Sequence, residues 1–173
     1  MVITQRNTEE TQSYTEDMGR VSEMMLVQRT EQPALVIEAL TDVSGMGRII
    51  SESYAQITAY LEELGELMTD APFVMYPDFD NFDEEAVQMT IGFKVASIFP
   101  EKGEIKSILL PAQKCITCFH RGSYPGLAEI YAEMSEWIAS KGFQPSGVSV
   151  EYYYTSPAFP ATEQVTRVEM PLA

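Results

Sequence analysis

The sequence predicts an α+β domain made of two β-α-β-β units, related by a pseudo-twofold axis, with a ligand cleft between the halves. Three observations carry this. The order strand, helix, strand, strand occurs over about residues 24–98 and again over 104–173. A proline interrupts the first β segment of each unit, Pro33 in one and Pro111 in the other. A tyrosine stands in the third strand of each, Tyr76 and Tyr153.

Each element has its own signal. The segment 26–41 is rich in β-formers, and its proline suits a bend or an edge. A helix follows, with Ile50, Tyr54, Ile57, Leu61, Leu64 and Met68 on one apolar stripe. Glu52, Glu62, Glu63 and Glu66 stay mostly off that stripe. Next come a strand over 71–77, an acidic turn, and a strand over 86–97 in which Val87, Met89, Ile91 and Phe93 alternate with Gln88, Thr90 and Gly92. The second unit begins with a β segment over 106–122. Its helix runs from about Tyr124 to Lys141, with Leu127, Tyr131, Met134 and Ile138 as its stripe and Gly142 as its stop. The last strands span 147–157 and 163–172. Residues 1–22 are polar without periodicity and read as a flexible tail before a domain over 23–173.

With 26 acidic and 11 basic residues the formal charge is −15. Such a field repels nucleic acid and anionic lipid, so the chain is expected to bind neither DNA by itself nor a membrane. It serves solubility first, with a preference for cationic ligands as the alternative. No apolar run is long enough to span a bilayer, and the N-terminus has no signal-peptide core, so a cytoplasmic location is expected by default.

Cys115 and Cys118 are spaced as in redox and zinc motifs, but they sit in a strand, where positions three apart face opposite ways. Buried inert thiols are the expectation. His120 is the only histidine, so no zinc centre and no Ser-His-Asp set can be assembled. It reads as part of the turn into the second helix, with ligand contact as the alternative, and Ser123 reads as that helix's N-cap. No phosphate-binding glycine pattern occurs, and neither metal nor cofactor is expected.

Glu151 is the leading site candidate. It interrupts a β-branched and aromatic strand, where an acid is unusual. Alternation puts Ser149, Glu151 and Tyr153 on one face and Val148, Val150, Tyr152 and Tyr154 on the other. If the second set faces the helix, Glu151 and Tyr153 look into the cleft, where the carboxylate needs a cationic partner. A solvent-facing acid on an edge strand is the alternative. Tyr76, Phe93 and Tyr124 fall where the cleft walls are expected. Trp137 reads as core whose ring edge can reach the cleft.

The segment from Leu110 to Phe143 resembles the GyrI-like, AraC-type effector-binding pattern, in which P-A and H-x-G-x-Y precede a helix ending W-I-x-x-x-G-F. Glu151, Tyr153 and Pro157 resemble that family's E-x-Y-x-x-x-P strand, and the run IGFKV resembles the strand that closes its first unit. The likeness extends over about residues 24–172. It implies the same duplicated fold, a cleft that takes hydrophobic and often cationic or amphipathic compounds, and a stand-alone type acting as a monomer or weak dimer. It also implies Glu151 as the ligand-contacting acid. Family relatives widen the choice to hydrolases of strained cyclopropane compounds, in which Glu151 and Tyr153 would be catalytic, and to a gyrase inhibitor. A protein-interaction role of that kind predicts an exposed apolar patch.

Overall fold

The computed structural model describes residues 19–173. Its strands are β1 (Met25–Arg29), β2 (Gln32–Thr41), β3 (Phe73–Tyr76), β4 (Val87–Lys94), β5 (Lys106–Leu110), β6 (Gln113–Arg121), β7 (Ser149–Tyr153) and β8 (Val165–Pro171). Its helices are α1 (Met46–Leu64) and α2 (Leu127–Ser140). All strands pair antiparallel in one curled sheet of order β1-β6-β8-β7-β3-β4-β2-β5. Among the described residues no helix is long and apolar enough to cross a membrane. The polar stretch at the N-terminus lies outside the described residues up to residue 18; residues 19–21 run beside the end of β6, with the Val21 N–H donating to the Phe119 carbonyl at 2.9 Å.

The duplication is visible in the strand order, which reads the same from either end when β1 to β4 are exchanged for β5 to β8. Each proline-interrupted segment forms two strands where the sequence predicts one bent segment. In the first unit the chain breaks at residues 30–31, and Pro33 lies inside β2 opposite Leu109; in the second it breaks at Pro111, which cannot donate to a ladder. The leading strands then cross over: β1 pairs with β6 of the second unit, and β5 with β2 of the first.

Both helices end at a glycine in the left-handed region, Gly65 (φ 68°) and Gly142 (φ 74°), a conformation costly for other residues. The Gly65 turn stops α1 before Met68. That residue, expected on the helical stripe, instead bridges to Val95. The predicted second helix also starts later: 124–126 form a 3-10 turn, and the Ser123 hydroxyl makes no capping bond. The stripes pack as expected. Ile57 and Leu61 of α1 bury against Leu35, Ile37, Phe93 and Val95, while Leu127, Ile130, Met134 and Ile138 of α2 bury against Ile116, Cys118, Val168 and Met170.

Directly paired residues share a sheet face, so one row can be followed across six strands: Cys118, Val168, Glu151, Val74, Ile91, Ile37. Its ends lie under α2 and α1, which places both helices on the same face. Glu151 is the only polar member, and it sits at the middle, where the two units join. On the opposite face Val150 and Tyr152 pack with Ala34, Val36, Phe73 and Leu110, buried by the curl that carries β5 toward β7. The alternation read from the sequence is right, but its assignment to faces is reversed: Glu151 and Tyr153 lie on the helix side. One helix from each unit packs on this face, so the face on which the sequence reading expects the cleft is the helix face.

Gly92 lies where β4 runs against β2. A Cβ there would collide with the Leu35 carbonyl oxygen and come within 2.7 Å of Val36 Cγ1. Gly92→Ala is expected to destabilise the fold by about 1–3 kcal/mol, read as a lower urea midpoint with unchanged m. A midpoint equal to wild type would show that the strands part without cost.

Candidate functional site

Glu151 enters the strip between the helices from β7. It is 8% exposed. Its two carboxylate oxygens accept from different phenols: Oε1 from Tyr131 of α2 at 2.9 Å, and Oε2 from Tyr153 at 2.6 Å. The Tyr131 hydroxyl also meets Ser149 Oγ at 2.7 Å, so three members of one face form a continuous polar chain. Burial pushes the Glu151 carboxyl above the usual carboxylate range, while the hydroxyls of Tyr153, Tyr131 and Tyr76 draw it back part of the way. Burial and the Glu151 charge raise Tyr131 and Tyr153 well above the normal phenol range, so both remain donors.

Rings surround this carboxylate. Tyr124 meets Tyr153 edge-on at 5.7 Å and is itself 40% exposed, which puts it on the solvent side of the cluster. Phe79, on the turn between β3 and β4, lies 4.4 Å from Tyr131 and 6.4 Å from Tyr76. Phe82 of the same turn meets Tyr76 edge-on at 6.2 Å. Tyr54 of α1 closes the first-unit side, packed with Tyr76 and Tyr153.

Of the residues singled out from the sequence, Glu151, Tyr153, Tyr76 and Tyr124 are brought together. Phe93 is not at the site. It is core under α1, with its ring 5.2 Å from Tyr54, which it supports from behind. Trp137 packs on the α2 cluster near the helix end, where Lys141 lies 5.5 Å over its ring, away from the phenols. His120 is buried at the end of β6; its Nε2 is 3.1 Å from the Ser123 carbonyl oxygen, and it fills the space beneath Gly126. Its Nδ1 is buried with no hydrogen-bond partner among the described residues. Tyr54, Tyr131, Phe79 and Phe82 are the members that sequence reasoning missed. The first two were hidden as ordinary positions on the helical stripes, although each occupies the same place in its stripe.

Cys115 and Cys118 are free and buried on opposite faces, and burial pushes their thiols up to about 12 and about 11. Neither is poised as a thiolate.

The other inward acids identify what is unusual about Glu151. On the far face Glu169 pairs with Arg29 at 2.7 Å, and Asp70 with Arg167 at 2.8 Å and Lys94 at 3.5 Å. Among the described residues, no basic side chain forms an ion pair with Glu151. It is a buried carboxylate supplied with phenols and ring faces but no cation.

A family model described as GyrI-like small molecule binding domain matches residues 22–173. No curated protein matches the chain. Among solved structures, the C-terminal domain of EcmrR is 19% identical, with 88% of this chain and 98% of that one covered and a TM-score of 0.76. A hydrolase from Listeria innocua is 14% identical, with 96% and 98% covered and a TM-score of 0.67. SAV2435 bound to tetraphenylphosphonium is 13% identical, with 88% and 94% covered and a TM-score of 0.56. At these identities the likeness is one of fold.

Proposed function

The chain belongs to the GyrI-like small-molecule-binding family, and from that premise we propose that it binds amphipathic organic cations between its two helices, with Glu151 as the counter-ion. The observation that carries this is the buried carboxylate with no basic partner, in a chain that pairs Glu169 and Asp70 with bases. An ionised carboxylate in an apolar setting is costly unless paired. Tyr131 and Tyr153 hold its orientation, the Tyr76 hydroxyl also reaches it, and the carboxylate still has acceptor capacity to spare. The ring faces supply cation–π attraction and apolar contact for a flat or bulky body. The net charge of −15 draws cations toward the protein. Calorimetry with tetraphenylphosphonium, the compound held by one structural relative, tests the reading. Saturable binding that Glu151→Gln weakens supports it, and no binding of this or any other organic cation overturns it.

A second reading is favoured by the raised proton affinity of Glu151 and its 2.6 Å bond to Tyr153: proton transfer to a bound substrate, as in a hydrolase. Mass spectrometry of ligands recovered after incubation separates the two. Intact ligand favours binding, and a product gaining the mass of water favours hydrolysis.

A further inference from the structure

The two units place equivalent residues around the join, and they differ in what lies beneath the tyrosine of each helix. Gly65 corresponds to Gly142, Ile57 to Met134, Leu61 to Ile138, and Tyr54 to Tyr131, with the same spacing along each helix. In the sheet, Tyr76 corresponds to Tyr153 and Val74 to Glu151; Val74 and Glu151 are also direct partners across the join. Tyr131 therefore finds Ser149 and Glu151 beneath it, whereas Tyr54 finds the positions of Pro72 and Val74, which offer no side-chain polar atom. The Tyr54 hydroxyl is buried and has no hydrogen-bond partner among the described residues. The ionisable groups acting on it are Tyr76, Glu151 and Tyr124, all members of the site.

A buried polar atom left unpaired is costly, and such atoms are few in native proteins. Nothing in the packing of α1 requires a hydroxyl here, because the ring alone fills the space against Phe93 and Tyr76. We propose that the Tyr54 hydroxyl is a specificity determinant that receives an N–H of the ligand, so that the site prefers protonated amines over cations lacking a hydrogen-bond donor. This rests on the cation-binding reading above. An ammonium with two or more N–H groups can direct one to a free acceptor position of Glu151 and a second to Tyr54 Oη. The charge on the ligand strengthens both bonds. A quaternary phosphonium satisfies the charge of Glu151 and leaves Tyr54 unpaired.

The test compares two probes on the full chain by calorimetry: tetraphenylphosphonium, which has no donor, and 2,2-diphenylethylamine at a pH where it is protonated. Tyr54→Phe keeps the ring and removes the hydroxyl. The preference for the amine over the phosphonium should fall by about tenfold, and the melting temperature should not drop, since no native bond is lost. An unchanged preference, or an equal loss for both probes, overturns the role of Tyr54. Glu151→Gln run in parallel keeps the two claims apart. If it weakens both probes while Tyr54→Phe leaves the preference unchanged, the cation site stands and the Tyr54 inference falls. If it weakens neither, or wild type binds neither, the cation reading falls and takes the inference with it.

Discussion

Glu151→Gln is expected to weaken tetraphenylphosphonium binding by about 1.5–3 kcal/mol, roughly ten- to a hundredfold and more, the scale of a charge-assisted contact. Glutamine keeps the shape of the side chain, and one amide oxygen can still accept from Tyr131 or Tyr153. What is lost is the negative charge in a setting of rings, where it is poorly screened. Affinity for a neutral compound of the same bulk should change much less. Stability of the free protein should move the other way. The Glu151 carboxyl has its proton affinity raised by burial, so the folded state binds more protons than the unfolded one between the two pKa values. The native state therefore loses stability as the pH rises from the ordinary carboxylate range through the raised value. At neutral pH the substitution removes that cost, so the melting temperature should rise. A variant that binds poorly and melts lower would point to a damaged fold and not to a missing counter-ion.

The second large effect concerns the far face. Arg29 Nη1 bonds Glu169 at 2.7 Å, Nη2 bonds Gln113 Oε1 at 3.2 Å, and Nε bonds the Pro111 carbonyl at 3.1 Å. One side chain thus ties β1 to β6, β8 and the link from β5. The pair is buried, with side chains 9% and 6% exposed. Arg29→Met leaves Glu169 buried without its ion-pair partner, with the Tyr152 hydroxyl at 3.5 Å, the Cys115 thiol beside it and the Lys94 charge as the remaining cation acting on it. The expected loss is about 3–5 kcal/mol, because the charge is stranded, a cost larger than the net worth of the pair. Urea unfolding reads it directly. Adding Glu169→Met should recover most of the loss, since apolar replacement of both partners is often neutral. A double variant as unstable as the single one would show that the geometry of the bonds, and not the stranded charge, sets the cost.

The fold was legible because both periodicities were present. The stripes of the two helices show which faces they bury, the alternation in 86–97 marks the strand, although Thr90 and Gly92 of its second face are buried as well, and the repeated order shows the duplication. The exchange of β1 and β5 between the units was not legible, since nothing in 26–41 or 106–122 says which neighbour a strand will choose once the segment divides in two. Alternation also assigns residues to two faces without naming them. Alternation groups Glu151 with Tyr153 but leaves the helix side open, because one unit considered alone has its helix over its own strands and hides that two helices flank the join. Phe93 and Trp137 show the same limit: an aromatic on a stripe looks alike whether it lines a cleft or fills the core. Tyr131 and Tyr54 reached the site through the pairing of the halves, which only the three-dimensional arrangement supplies.

The central claim is that an ionised Glu151 holds the cation. Its most direct measurement is the pH dependence of tetraphenylphosphonium affinity, since that probe keeps its charge at every pH. The carboxyl titrates above the ordinary carboxylate range in the free protein, so affinity should rise as the pH rises through that elevated value and be lost below it. The Glu151→Gln profile should be weak and flat across the same interval. A wild-type affinity that does not change with pH over this interval, or a slope that survives in Glu151→Gln, would contradict the assignment of Glu151 as the counter-ion.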